Sequence, residues 1–205
     1  QTDDGMLFIA MEYLEGQPLS LVLKTEKILP VRRMLHIVGQ VCASLSEAHR
    51  RGVVHRDLKP DNIFLCQVED NPDFVNVLDF GVAKVITDEN LSAPGTLTQA
   101  GSIFGTPPYM APEQWAGDRG DPRSDVYSLG CLLYQLLSGD VPFRGTQREV
   151  QRLHEEEQPQ PLRNRVSGIP DDIARCVEQA MAKDPGQRFD DGNVFALALR
   201  QAVQA

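Results

Sequence analysis

Basic charge is scarce in this chain. Twenty lysines and arginines face twenty-nine aspartates and glutamates, for a formal net charge of −9 over 205 residues. A nucleic-acid surface normally needs a basic stripe, so the composition argues against that class of partner. An acidic exterior can favour basic peptides, but it is more often plain solubility. Cysteine is just as sparse. Cys42, Cys66, Cys131 and Cys176 are widely spaced and form no Cys-x-x-Cys pair. That pattern excludes a disulfide frame or zinc site and reads as reduced, mostly buried thiols of an intracellular, cytoplasmic protein. No signal peptide is visible, and no apolar run approaches the roughly eighteen residues of a membrane span. No internal repeat is present. The chain opens on a polar Gln1-Thr2-Asp3-Asp4 stretch and reads as a piece of a longer protein.

What remains is an ordinary globular composition, 41% hydrophobic and 24% charged, long enough for one domain with a sizeable core. Met6 to Leu14 is a short apolar run that reads as a buried strand ending at a Glu15-Gly16 turn. A short helix is expected from Leu19 to about Lys27. Pro30 then opens a longer one, with Val31, Met34 or Leu35, Val38, Val41 or Cys42, Leu45 and Ala48 on one face. Ile63 to Leu65 and Phe74 to Leu78 read as strands around a turn at Glu69-Asp70-Asn71-Pro72. From Ile86 to Gly105 the composition shifts to Thr, Ser, Gly, Ala and Gln, which predicts a long functional loop. Arg123 to Ser138 is apolar on nearly every face, so this helix is expected to be buried all round and to organise the domain. Gly139 is its C-cap candidate. Further helices are expected near Thr146 to Glu157, Pro170 to Lys183 and Asp190 to Ala202. The fold class is mostly α with a few short β-strands. His36, His49 and His154 read as surface or core-edge residues.

The chemistry concentrates in two strings. His55-Arg56-Asp57-Leu58-Lys59-Pro60-Asp61-Asn62 is followed, seventeen positions after Asn62, by Asp79-Phe80-Gly81. Asp57 is placed to orient a hydroxyl nucleophile and take its proton. Lys59 can offset charge on phosphoryl oxygens. Asn62 and Asp79 are hard oxygen ligands suited to a Mg2+ ion that keeps waters and bridges substrate phosphates. Alone, Asp-Phe-Gly is as common as any turn after a strand. The eight-residue string is far more specific.

Together with Gly105-Thr106-Pro107-Pro108-Tyr109-Met110-Ala111-Pro112-Glu113 and Asp125-Val126-Tyr127-Ser128-Leu129-Gly130, these strings resemble the Ser/Thr protein kinases, in the style of bacterial eukaryotic-like (Hanks-type) enzymes. Lys59-Pro60 favours the Ser/Thr class over tyrosine kinases. The resemblance covers essentially the whole chain. It implies a kinase-like C-terminal lobe built around the central helix (residues 15–205, with a hinge strand at 6–14). It also implies ATP and Mg2+ as cofactors and Ser/Thr-bearing proteins as substrates. By resemblance, Met11, Glu12 and Leu14 belong to the hinge that meets adenine, and Phe64 forms the floor beneath it. Thr106 contacts Asp57 and Lys59, Asp125 steadies the catalytic-loop backbone, and Arg188 pairs with Glu113. Arg56 is the residue that meets a phosphorylated loop residue, for which Thr96, Thr98 and Ser102 are candidates. Tyr127 stands where Trp is more usual.

One half of the kinase pattern is missing. No glycine-rich phosphate loop and no Val-Ala-Ile-Lys strand occur, and Lys24 and Lys27 fall in a helix after the hinge. The N-terminal lobe is therefore an expected partner from the same protein, and this chain alone is expected to transfer phosphate weakly or not at all. A non-catalytic kinase-like binding module is the alternative, although Asp57, Lys59, Asn62 and Asp79 are all intact. A small-molecule kinase would lack the Gly105–Glu113 docking segment.

Overall fold

Helix α1 (Leu19–Glu26) and helix α2 (Val31–Arg50) follow a three-residue strand β1 (Gly16–Pro18) in a computed structural model that describes residues 12–80, 107–118 and 120–204. The apolar stripe of α2 buries Met34, Val38, Val41, Cys42 and Leu45 as its spacing predicts, and Ile37 joins them, whereas Val31 at its first turn is exposed and Ala48 half-buried. Pro30 occupies the cap position, so the helix starts at Val31, one residue later than expected.

Strands β2 (Ile63–Val68) and β3 (Asn71–Val77) form an antiparallel hairpin, and β1 adds to β2 on the other side, giving the order β1-β2-β3. Ile63 faces Val77, Phe64 faces Asn76 and Gly16 faces Cys66. The hairpin is tighter than the sequence suggests. Asn71 and Pro72 belong to β3, leaving a two-residue turn at Glu69-Asp70. Pro18 and Pro72 both sit on edge strands, where a missing N–H costs no ladder bond. Gly16 is likewise in a strand, not a turn. A Cβ at that position would stand 2.1 Å from the Leu65 carbonyl oxygen, so only glycine allows β1 to approach this closely. Residues 12–14 are outside any strand, and Tyr13 is 88% exposed. The rest of the strand expected from Met6 to Leu14, residues 6–11, lies outside the described residues. The hairpin is clamped to α2 by Arg33, whose Nε and Nη2 donate to Asp73 Oδ2 and Oδ1, both at 2.8 Å.

After a four-residue helix α3 (Pro112–Trp115), helix α4 (Pro122–Ser138) runs through the centre. Thirteen of its residues are buried, from Ser124 to Leu137, as its apolar surface predicts. Asp121 caps the start by accepting from Arg123 N at 2.8 Å, and Pro122 fills the first turn. Gly139 stops it in the left-handed conformation at φ 76°, donating to Gln135 O at 2.8 Å.

Helix α5 (Gln147–Glu156) opens on a capping box between Thr146 and Glu149 and buries only Val150 and His154. Helix α6 (Asp171–Ala180) ends three residues earlier than its pattern suggests. The carbonyls of Ala182 and Lys183 turn aside to accept from Arg188 Nε and Nη2 at 2.7 and 3.0 Å. Helix α7 (Gly192–Gln204) starts on Asp191, which accepts from Asn193 N and Val194 N. One core joins α1, α2, α4, α6 and α7 with the buried face of the hairpin. Among the described residues no helix is long and apolar enough to cross a membrane.

Candidate active site

The segment from Val53 to Leu58 connects α2 to a 3-10 turn at Pro60–Asn62 and has no regular structure of its own. Its shape is imposed by Asp125, a fully buried carboxylate in the first turn of α4. Asp125 Oδ2 accepts from His55 N and Oδ1 from Arg56 N, both at 2.8 Å. The helix N-terminus favours a negative charge there, and two charge-assisted bonds fix two successive peptide planes. Arg56 is held at φ 68°, unusual for a residue with a side chain, and its carbonyl accepts from Gln114 Nε2 at 2.9 Å.

His49 also donates through Nε2 to Asp125 Oδ2 at 2.8 Å. Far from being a peripheral residue, it is a third donor to the carboxylate that shapes the loop. Nothing in the local sequence of α2 announces this, because its partner lies 76 residues away. His55 is completely buried, and its two partners fix its tautomer. Nε2 donates to Leu78 O at 2.8 Å, while Nδ1 accepts from Asp57 N at 3.3 Å. Its ring lies tilted against Phe80, with centroids 4.9 Å apart.

These constraints converge on three of the side chains singled out from the sequence. Lys59 Nζ donates to Asp57 Oδ2 at 2.8 Å, and Asn62 Nδ2 donates to the Asp57 carbonyl at 2.9 Å. The second bond orients the Asn62 amide and leaves its carbonyl oxygen as the end able to ligate a cation. The Asn62 carbonyl in the backbone accepts from Leu78 N at 2.8 Å, which brings the strand end bearing Asp79 beside Asn62. Asp79 itself is exposed, in a left-handed conformation at φ 58°.

One amide oxygen and one exposed carboxylate are a donor set suited to Mg2+, which completes its octahedron with water and phosphate oxygens. Among the described residues no cluster of three or more His, Cys, Asp or Glu side chains forms a closed metal cage. Phe64 is half-buried on β2, two residues beyond Asn62. Glu12 is exposed and Leu14 half-buried, both outside the sheet. Met11, Gly81, Thr106, the long loop and its acceptors Thr96, Thr98 and Ser102 lie outside the described residues.

Downstream of the site, Glu113 at the start of α3 receives Arg188 Nη1 on Oε1 at 2.7 Å and Nη2 on Oε2 at 2.8 Å. Ser124 Oγ adds a third bond at 2.6 Å. Burial works to raise the Glu113 carboxyl, but Arg188 and Ser124 outweigh it and hold it below the usual carboxylate range. Ser128 Oγ donates to Tyr109 O at 2.7 Å and Tyr109 Oη to Gln135 at 2.6 Å, so α4 carries the 107–113 segment as well as the loop that begins at His55.

The profile of the protein kinase domain family matches residues 1–200. The chain belongs to the protein kinase domain family. It is 45% identical over 206 residues to the serine/threonine-protein kinase pkn3 of Myxococcus xanthus, covering 99% of this chain and 37% of that protein. It is 39% identical to the serine/threonine-protein kinase PknB of Mycobacterium leprae, covering 92% of this chain and 29% of the relative. The kinase domain of Mycobacterium tuberculosis PknI superposes with a TM-score of 0.68 at 26% identity, covering 94% of this chain and 64% of that structure. The likeness is therefore to bacterial Hanks-type Ser/Thr kinases, and the kinase-like fold expected from the motifs is the one observed. The chain spans about a third of the length of these curated relatives. Membership of the family implies ATP and a divalent metal.

Proposed function

We propose that this chain is the substrate-side part of an ATP-dependent protein serine/threonine kinase. The observation that carries the reading is the convergence of Lys59 Nζ and Asn62 Nδ2 on Asp57, on a loop pinned at two successive amides by Asp125. In this reading Asp57 orients a Ser or Thr hydroxyl. The hydroxyl oxygen bonds to the γ-phosphorus, the bond to the bridging oxygen breaks, ADP leaves and the proton passes to Asp57. Lys59 offsets negative charge on the transferred group, and Thr106 helps to place the acceptor. Asn62 and Asp79 would hold Mg2+, which supplies charge neutralisation at the phosphate oxygens when bound. Met11, Glu12 and Leu14 line the adenine side, with Phe64 beneath the base.

The glycine-rich loop and its lysine belong to an upstream lobe of the same protein. Without that lobe this chain has the base and the metal ligands but no cover over the phosphates. The decisive measurement compares transfer of labelled γ-phosphate to a Ser/Thr protein by this chain and by the same chain extended upstream. Robust transfer by the extended protein and little by this chain supports the reading; equal turnover by both overturns the requirement for the lobe. Nucleotide-independent partner binding by an extended protein that transfers nothing would favour the scaffold alternative.

A further inference from the structure

Helix α5 is solvated along most of its length, and its two buried residues both face the segment that precedes and forms α3. Val150 packs with Met110 and Trp115 in a small apolar cluster separate from the main core. His154, one turn on, is fully buried with its ring edge-on to Phe143 at 4.9 Å and beside Tyr127 at 5.6 Å. Its Nε2 atom is buried without a hydrogen-bond partner.

The polar contacts around His154 form a chain whose direction is set by its ends. Lys183 Nζ can only donate, and it reaches Leu153 O at 3.2 Å and Tyr127 Oη at 3.4 Å. The Tyr127 hydroxyl, accepting there, gives its own hydrogen to His154 Nδ1 at 2.8 Å. The remaining ring hydrogen then sits on Nε2. Tyr127 thus does more than fill space in α4. Its hydroxyl fixes the tautomer of the imidazole, and its ring also carries Arg188 at 4.8 Å, the partner of Glu113.

We infer that Tyr127 and His154 are positioning residues for the peptide-docking segment, holding residues 107–113 from below at the height at which a substrate hydroxyl meets Asp57. The inference deepens the kinase reading and rests on it for the identity of the docking segment. It assigns α5 a role as a buttress, not as a contact to the nucleotide.

The test uses the full-length protein with His154→Phe, which keeps a buried ring, and Tyr127→Phe, which removes one oxygen. Hydrogen exchange is read on peptides covering 109–114 and 55–62. Each variant is expected to speed exchange at 109–114 by about fivefold, the effect of one neutral hydrogen bond, with 55–62 unchanged. The KM for a Ser/Thr peptide should rise by a similar factor while the KM for ATP stays at the wild-type value. Unchanged exchange at 109–114, or equal acceleration of both regions, overturns the inference. If exchange changes as expected but the wild-type protein transfers no phosphate, the positioning role stands and the kinase reading falls. Should His154→Phe fail to fold, Tyr127→Phe reports the same bond alone.

Discussion

Arg188 and Glu113, 75 residues apart in the chain, meet fork to fork through two parallel hydrogen bonds of 2.7 and 2.8 Å. The guanidinium side chain is wholly inaccessible, and the carboxylate side chain keeps 15% of its surface exposed. The same arginine donates to the carbonyls of Ala182, Lys183 and Arg123. One side chain therefore ties α3, the start of α4 and the turn after α6 together. Arg188→Ala would leave a buried carboxylate without its partner, at a cost of about 3–5 kcal/mol. Urea unfolding checks this, and a loss below about 1 kcal/mol would mean that water replaces the guanidinium.

Asp125→Asn presents an amide N–H₂ to a site where His55 N, Arg56 N and His49 Nε2 all donate. At least one of the three must turn away. The Asp57 side chain then loses its fixed position relative to a bound hydroxyl, and phosphoryl transfer by the upstream-extended protein is expected to fall about 100-fold. Nucleotide affinity, measured by calorimetry, should change little. Wild-type turnover would show that the remaining bonds suffice.

Asp57→Asn keeps the size of the side chain and removes its proton affinity. Turnover of the extended protein is expected to drop by roughly 10²–10⁴ with peptide KM nearly unchanged. Single-turnover kinetics separate this from a binding defect. A variant that retained full turnover would remove Asp57 from the role of base.

His154 is desolvated by burial and repelled by Lys183, which brings its pKa down from 6.5 to about 3. The folded protein holds it neutral, whereas the unfolded chain protonates it below pH 6.5. Across the window from 6.5 down to 3 the unfolded state binds the extra proton, so stability is greatest above 6.5 and declines as pH falls. The slope reaches at most about 1.4 kcal/mol per pH unit. The lowered Glu113 carboxyl adds to the loss at the acidic end. Urea unfolding between about pH 4 and 7 should give a steeper dependence for the wild type than for His154→Phe, and parallel curves would count against the assignment.

Gly16→Ala places a methyl group against the Leu65 carbonyl, at 2.1 Å in the present backbone. The contact is with main chain, so no rotamer relieves it. β1 must peel from β2, and a loss of about 1–3 kcal/mol is expected, the usual cost of overpacking. Thermal unfolding measures it. Exchange of the Leu65 and Cys66 amides should rise, and an unchanged melting temperature would show that β1 contributes nothing.

Much of the scaffold was legible in the sequence. The stripe of α2 and the all-round apolar surface of α4 are repeats over three and four residues, and the structure buries most of those positions, although Val31 at the start of α2 is exposed. The capping residues agree too, since Gly139 stops α4 where its lack of a side chain permits φ 76°. Legibility failed where an element depends on a distant partner. β1 at Gly16–Pro18 exists because Phe64 to Cys66 offer an edge. The last turn expected of α6 is spent on Arg188. His49 and His154 carry no local mark of burial, yet one completes the set of donors on Asp125 and the other is fully buried beside Phe143 and Tyr127.

The sequence by itself determined the chemical inventory: a carboxylate, an ammonium, an amide and a second carboxylate, in an order and spacing that resemble those of one enzyme family. It also determined which helices have an inward face, because that face is set by neighbours within four residues. Only the tertiary structure decided how the loop from His55 to Asn62 is shaped. The bonds that do so join residues 69 to 76 positions apart. Their energy appears only after the intervening chain has folded and excluded the water that would otherwise satisfy the same donors.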